Sequence, residues 1–166
     1  MMRGKRRGAV RRLGAWAPVL ALVAAALLAN DGGQAAQMQT CTISTTPLKF
    51  GRYDPRQPVD LIVSGSVAFN CSRGQPITII MDQGSGRKAA MREMRYRNRR
   101  LEYQIYFDPT ATRIWGDGTG GSQFYSNNAP PVRTTVVIPF YGRIPAGQSN
   151  LVAGTYRDSV VVKVIY

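Results

Sequence analysis

Between Thr155 and Tyr166 the sequence alternates with a period of two. Val160, Val162, Val164 and Tyr166 fall on one face, and Ser159, Val161, Lys163 and Ile165 on the other. That is the period of a β-strand and not of a helix. A strand this apolar needs partners along both edges, and the sequence places no further turn or strand behind it. Its outer edge is therefore expected to pair with another protein.

The same period recurs upstream. Val59, Leu61, Val63, Val67, Phe69 and Cys71 share odd positions, and Ile77, Ile79 and Met81 continue the pattern in a second strand. Gly65 interrupts the first run and reads as a bulge. Ala90 to Tyr96 and Leu101 to Phe107 read as a hairpin turning at Arg97-Asn98-Arg99. A proline-flanked strand follows over Arg133 to Tyr141. No segment has a helical period. Six or seven short strands separated by Gly, Pro and Asn turns predict an all-β, immunoglobulin-like antiparallel sandwich.

Residues 1–36 stand apart from this pattern. Arg3, Lys5, Arg6, Arg7, Arg11 and Arg12 precede an apolar run over Ala15 to Ala29, and small residues follow it. That is the layout of a secretory signal peptide. The run, about 15 residues, is shorter than the roughly 20 that a membrane-spanning helix needs. Cleavage is expected near Ala35 or Ala36, with Ala26 and Ala29 as alternatives. Six of the 22 basic residues and one of the nine acidic ones lie in this segment, which leaves 37–166 with a formal charge of +8. That length supports one domain.

Cys41 and Cys71 are the two cysteines. In an oxidising compartment such a pair is most simply a disulfide. The competing readings are a metal site and a catalytic thiol. The chain has no histidine, so a zinc site would lack its usual co-ligands and a thiol its usual base. No catalytic residue, metal or cofactor is expected.

Seven motifs occur in order: Cys41-Thr-Ile-Ser, Phe50-Gly51-Arg-Tyr53, Val67-Ala-Phe-Asn-Cys71, Leu101-Glu-Tyr103 with Phe107-Asp108, Trp115-Gly-Asp-Gly-Thr119, Tyr141-Gly-Arg-Ile-Pro145 and Gly154-Thr-Tyr-Arg-Asp158. Together they resemble the spore coat protein U domain, the family that also contains the Csu-type pilins of archaic chaperone/usher pili. The resemblance covers essentially everything after the leader. It implies an immunoglobulin-like sandwich that lacks its last strand. A periplasmic chaperone supplies that strand first, and the amino-terminal extension of a neighbouring pilin-like subunit then replaces it at an outer-membrane usher. On this basis Val160, Val162, Val164 and Tyr166 are expected to line a recipient edge, with Ile43 and Leu48 of the first strand opposite. The product would pass through the periplasm to the cell surface.

One departure bears on the role. A donating pilin needs about a dozen alternating residues ahead of its domain, whereas cleavage at Ala35 or Ala36 leaves about five before Cys41. Such a tail cannot span a neighbour's groove at about 3.3 Å per residue. An accepting tip or minor subunit, or a coat role, is the expectation.

Two other features suggest chemistry. Arg95, Arg97, Arg99 and Arg100 belong to a dense basic run. In an exported protein this reads as a solvated hairpin face, and next as a contact for polysaccharide or another anionic surface, in the manner of an adhesin; nucleic acid is not expected. Trp115-Gly-Asp-Gly-Thr-Gly offers only Asp117 as a carboxylate, against the six to eight oxygens calcium takes, and reads as a turn with a buried Trp. The spacing of the remaining carboxylates, from Asp54 to Asp158, does not ask for a hydrolase.

Overall fold

A computed structural model of the protein describes residues 38–166; the leader expected over 1–36 lies outside them. Eight strands follow one another: β1 (Cys41–Thr46), β2 (Leu61–Cys71), β3 (Ile77–Met81), β4 (Arg92–Tyr96), β5 (Arg99–Tyr106), β6 (Tyr125–Asn127), β7 (Val136–Ile144) and β8 (Val162–Ile165). They form a five-stranded sheet, ordered β1-β2-β7-β5-β4, and a three-stranded sheet, ordered β6-β3-β8. Every strand pairing is antiparallel. The described residues contain no helix, and the two sheets make an immunoglobulin-like sandwich.

Period-two patterning explains the layers. Val67, Phe69 and Cys71 of β2 and Ile77, Ile79 and Met81 of β3 point inward and are almost fully buried, while their neighbours are partly exposed. Between the sheets lies Trp115, with no exposed surface, stacked on Phe107 at 4.4 Å and edge-on to Phe140 at 5.9 Å. Its indole N–H donates to the Ile79 carbonyl at 3.2 Å, so the polar atom that accompanies this apolar bulk is satisfied. Cys41 and Cys71, directly opposite in the β1–β2 ladder, are joined in a disulfide.

Several elements differ from the sequence-based expectation. β2 begins at Leu61, and Val59 is largely exposed before it. No bulge occurs at Gly65, which pairs with Phe140 in an unbroken register. A Cβ there would come within 2.6 Å of both the Phe140 ring and the Thr46 carbonyl oxygen, so the glycine serves close packing. The hairpin turns over Arg97 and Asn98, because Tyr96 pairs with Arg99, and Arg97 adopts a φ of 52° to close it. β7 is displaced toward the carboxyl end. Arg133, at φ 53°, gives its N–H to the Cys71 carbonyl, which holds it out of the ladder until Val136.

The largest difference concerns the last strand, of which only Val162–Ile165 pairs with β3. Arg157 instead exchanges two main-chain hydrogen bonds with Arg95, at 2.8 and 3.1 Å, on the free edge of β4. The chain therefore leaves the edge of one sheet at residue 157 and joins the other by residue 161. A single straight strand cannot do both.

Candidate functional site

β8 is the edge of the three-stranded sheet, and among the described residues no strand pairs with its outer side. Asp82 donates its N–H to the Val161 carbonyl at 3.1 Å, and the ladder continues through Met81↔Val162, Ile80↔Lys163, Ile79↔Val164 and Thr78↔Ile165. Successive residues of a strand direct their main-chain groups to opposite edges. Val161, Lys163 and Ile165 thus turn theirs toward β3, and Val160, Val162 and Val164 turn theirs to the open edge. The side chains of these three valines also pack inward against the core.

Beside this edge runs a groove of about 340 Å³. One wall is the end of β1 and the chain after it, Thr45 to Leu48 with Phe50; the other is Tyr156 to Asp158 with Val160 and Val162. Met81, Met94, Tyr103, Ile105 and Phe140, all core residues, form its floor. Interiors are normally close-packed, so a groove reaching these side chains marks a place where the sandwich is unfilled. Leu48 and Phe50 are held in the wall by β7: a Cβ on Gly142 would come within 2.5 and 2.6 Å of them.

Of the residues expected at a recipient edge, Val160, Val162 and Leu48 line the groove. Val164 packs on the core farther along β8, and Tyr166, 57% exposed, follows the strand. Ile43 lies elsewhere. It pairs with Phe69 on β2, is exposed, and borders a separate depression of about 130 Å³ with Thr42, Ser44 and Asn70. The groove begins only at Thr45, where the chain approaches the residues leading into β8.

The four hairpin arginines do not form one patch. Arg95 and Arg100 lie opposite each other on β4 and β5, and both pair with Glu93. Arg97 sits at the turn with its guanidinium 5.3 Å from the centroid of the Tyr96 ring, and Arg99 reaches Asn150 at 3.5 Å. Asp117 is occupied within its own turn, accepting from the Thr119 N–H at 2.9 Å, the Thr119 hydroxyl at 2.7 Å and the Ser122 hydroxyl at 3.3 Å. Among the described residues no group of three potential ligands gathers around a metal position.

Sequence reasoning missed the polar frame beneath the groove. Arg92, only 1% exposed, projects into the core, and Asp158 lines the groove while accepting from the buried Tyr103 hydroxyl at 2.7 Å and the Ser85 N–H at 2.7 Å. Burial pushes the Tyr103 phenol well above its ordinary pKa, and the bond to Asp158 and that carboxylate's charge add to the shift. Burial pulls the Arg92 guanidinium below its ordinary value, opposed by Tyr103 and by the carboxylates of Asp82, Asp158 and Asp117. The signal for Arg92 was present: it shares strand parity with Met94 and Tyr96, which puts an arginine on an apolar face.

An antiparallel sandwich whose edge strand stands unpaired over an apolar groove has the architecture of a pilin-type, immunoglobulin-like subunit. The family model of the Spore Coat Protein U domain matches residues 24–163, and the chain belongs to that family. Among solved structures it is similar to a chain in the crystal structure of the CsuC–CsuE chaperone–tip adhesion subunit pre-assembly complex from archaic chaperone-usher Csu pili of Acinetobacter baumannii. The TM-score is 0.56 at 23% sequence identity, with 78% of this chain covered. The chain spans 40% of the length of that one, and the likeness concerns the fold. No curated protein matches.

Proposed function

We propose that this chain is an exported structural subunit of a cell-surface fibre or coat, assembled by β-strand complementation. Residues 1–36 act as a cleaved signal peptide and 37–166 form the assembling domain. The observation that carries this reading is the open edge of β8 above the groove. Unpaired N–H and C=O groups and an exposed path to the core are liabilities for an isolated protein. One added strand removes both, its main chain completing the sheet and its alternate side chains filling the groove. The partners are a periplasmic chaperone, an outer-membrane usher and neighbouring pilin-like subunits. The role uses main-chain groups and apolar side chains, and calls for no catalytic group, metal or cofactor.

The subunit accepts a strand without donating one, as a tip or minor component. Mass determination of the exported protein tests this part: a tail of about five residues before Cys41 supports it, and one of about 14 or more, enough to span a groove, overturns it. Co-expression with a periplasmic chaperone of an archaic chaperone/usher system tests the route: recovery as a chaperone complex supports it, and recovery as a stable free monomer overturns it. The polysaccharide or anionic-surface reading is not favoured, because Glu93 engages two of the four arginines it would use.

A further inference from the structure

Arg92 is buried in the core, yet among the described residues it makes no ion pair with a carboxylate. All five of its N–H groups are spent on carbonyl oxygens: Nε on Asp82 (3.0 Å), one terminal nitrogen on Ala89 (2.8 Å) and the Gln104 side chain (2.6 Å), the other on Met81 (3.3 Å) and Asp82 (2.7 Å). A charge held in this way is costly, and an apolar side chain of similar volume would avoid the desolvation. What the guanidinium adds is direction, since its planar fork fixes its acceptors relative to one another. Two of those acceptors are the last residue of β3 and the one after it.

Asp82 passes that placement on. Its N–H donates to the Val161 carbonyl at 3.1 Å, and its Oδ1 accepts the Val161 N–H at 2.9 Å and the Gly84 N–H at 2.9 Å. Val161 is thereby gripped through both main-chain groups immediately before β8. On the other side of Val160, Asp158 is tied to Ser85 and Tyr103. Gly84, at φ 56°, makes room for it: a Cβ there would come within 2.3 Å of the Asp158 carboxylate. The free main-chain groups of Val160 and Val162 thus lie on a segment clamped on both sides.

We propose that Arg92, acting through Asp82, is the positioning residue of the strand-acceptor edge, setting the register in which Val160 and Val162 meet an incoming strand. This rests on the strand-acceptor reading above. A purely structural Arg92 would alter stability without altering strand capture. A positioning Arg92 alters capture, and the effect follows the hydrogen-bonding capacity of residue 82.

The test uses the full-length chain exported to the periplasm of a bacterial host, as wild type, Arg92→Met, Asp82→Ala and Asp82→Asn. The probe is a synthetic peptide of about a dozen residues alternating valine with threonine. Amide hydrogen exchange at 161–165 and peptide affinity are measured on each folded variant. Asn keeps a side-chain acceptor for the Val161 N–H, and Ala does not. Arg92→Met and Asp82→Ala are expected to exchange faster at 161–165 and to bind the peptide about tenfold more weakly. Amides of the β2–β7 ladder should change far less, and Asp82→Asn should behave as wild type. If Arg92→Met does not fold, Arg92→Lys takes its place and is expected to show the same loss, since it keeps the charge but lacks the planar fork that reaches the Asp82 and Met81 carbonyls together. Wild-type capture by Arg92→Lys overturns the role of Arg92, while the Asp82 pair tests the step from Asp82 to Val161. Undiminished binding by Asp82→Ala, with wild-type binding intact, overturns the positioning role alone. No binding by the wild type overturns the acceptor reading, and this inference with it.

Discussion

At the scale of single residues, the glycine in β2 gives the simplest test of packing. With Phe140 and the Thr46 carbonyl both within 2.6 Å of a Cβ at position 65, Gly65→Ala should destabilise by about 1–3 kcal/mol, the usual penalty of overpacking, measured by denaturant unfolding. An unchanged midpoint would show that β1 and Phe140 yield. The acid limb of stability is set by carboxylates held below their ordinary values. For Asp60 the Ala146 N–H is the main cause, with Arg143 beside it; for Asp108 it is the Thr110 hydroxyl, then the Thr112 and Arg113 amides; for Asp117, Thr119. A depressed folded pKa stabilises the fold above the unfolded value of about 3.9 and is lost as pH falls through the folded one. The melting temperature should therefore hold from pH 7 to about pH 5 and fall below about pH 4. Asp108→Asn should make that fall shallower, and an identical acid profile would count against it.

At the scale of elements, the disulfide and the open edge make separate predictions. Cys41 and Cys71 enclose a sequence separation of 30, so replacing both with serine should cost roughly 3–4 kcal/mol in the chain-entropy model. Loss of less than about 1 kcal/mol in denaturant titrations would mean that the crosslink restricts the unfolded chain far less than the chain-entropy model requires. Val160 lines the groove but precedes the paired part of β8. Val160→Glu should weaken capture of an alternating peptide by about a hundredfold or more, because docking would bury an unpaired charge, and the uncomplemented domain, losing one partly buried valine, should melt lower by only about a few degrees. Fluorescence titration measures this, and unchanged affinity would place strand docking outside this groove. Much at this scale was legible beforehand. Odd-position parity gave the inward faces of β2 and β3, and the inward set Val160, Val162 and Val164 was read without its partners. The three residues of β6 are too few to show a period. The break between Arg157 and Val162 was hidden because it depends on β4 and β3, distant in sequence. Ile43 was misplaced in the groove because parity reports a strand's face and says nothing of how far along the strand a cavity begins.

At the scale of the molecule, a sandwich with a five-stranded and a three-stranded sheet has one edge and one groove that belong together, and a single added strand would satisfy both. Resemblance drew attention to that edge; its geometry adds that the main chain of Val160, Val162 and Val164 faces outward while their side chains face the core. The polar frame of Arg92, Asp82 and Asp158 beneath it was not anticipated: the parity of Arg92 was its one sequence signal, and only the fold brings the three residues together. The most direct measurement compares the melting temperature and oligomeric state of the exported chain with those of a version carrying a flexible linker and a valine-threonine strand fused after Tyr166. The account predicts a monomer whose melting temperature rises by roughly 10 °C or more. An unmodified chain that is already a stable monomer, and gains nothing from the added strand, would contradict it.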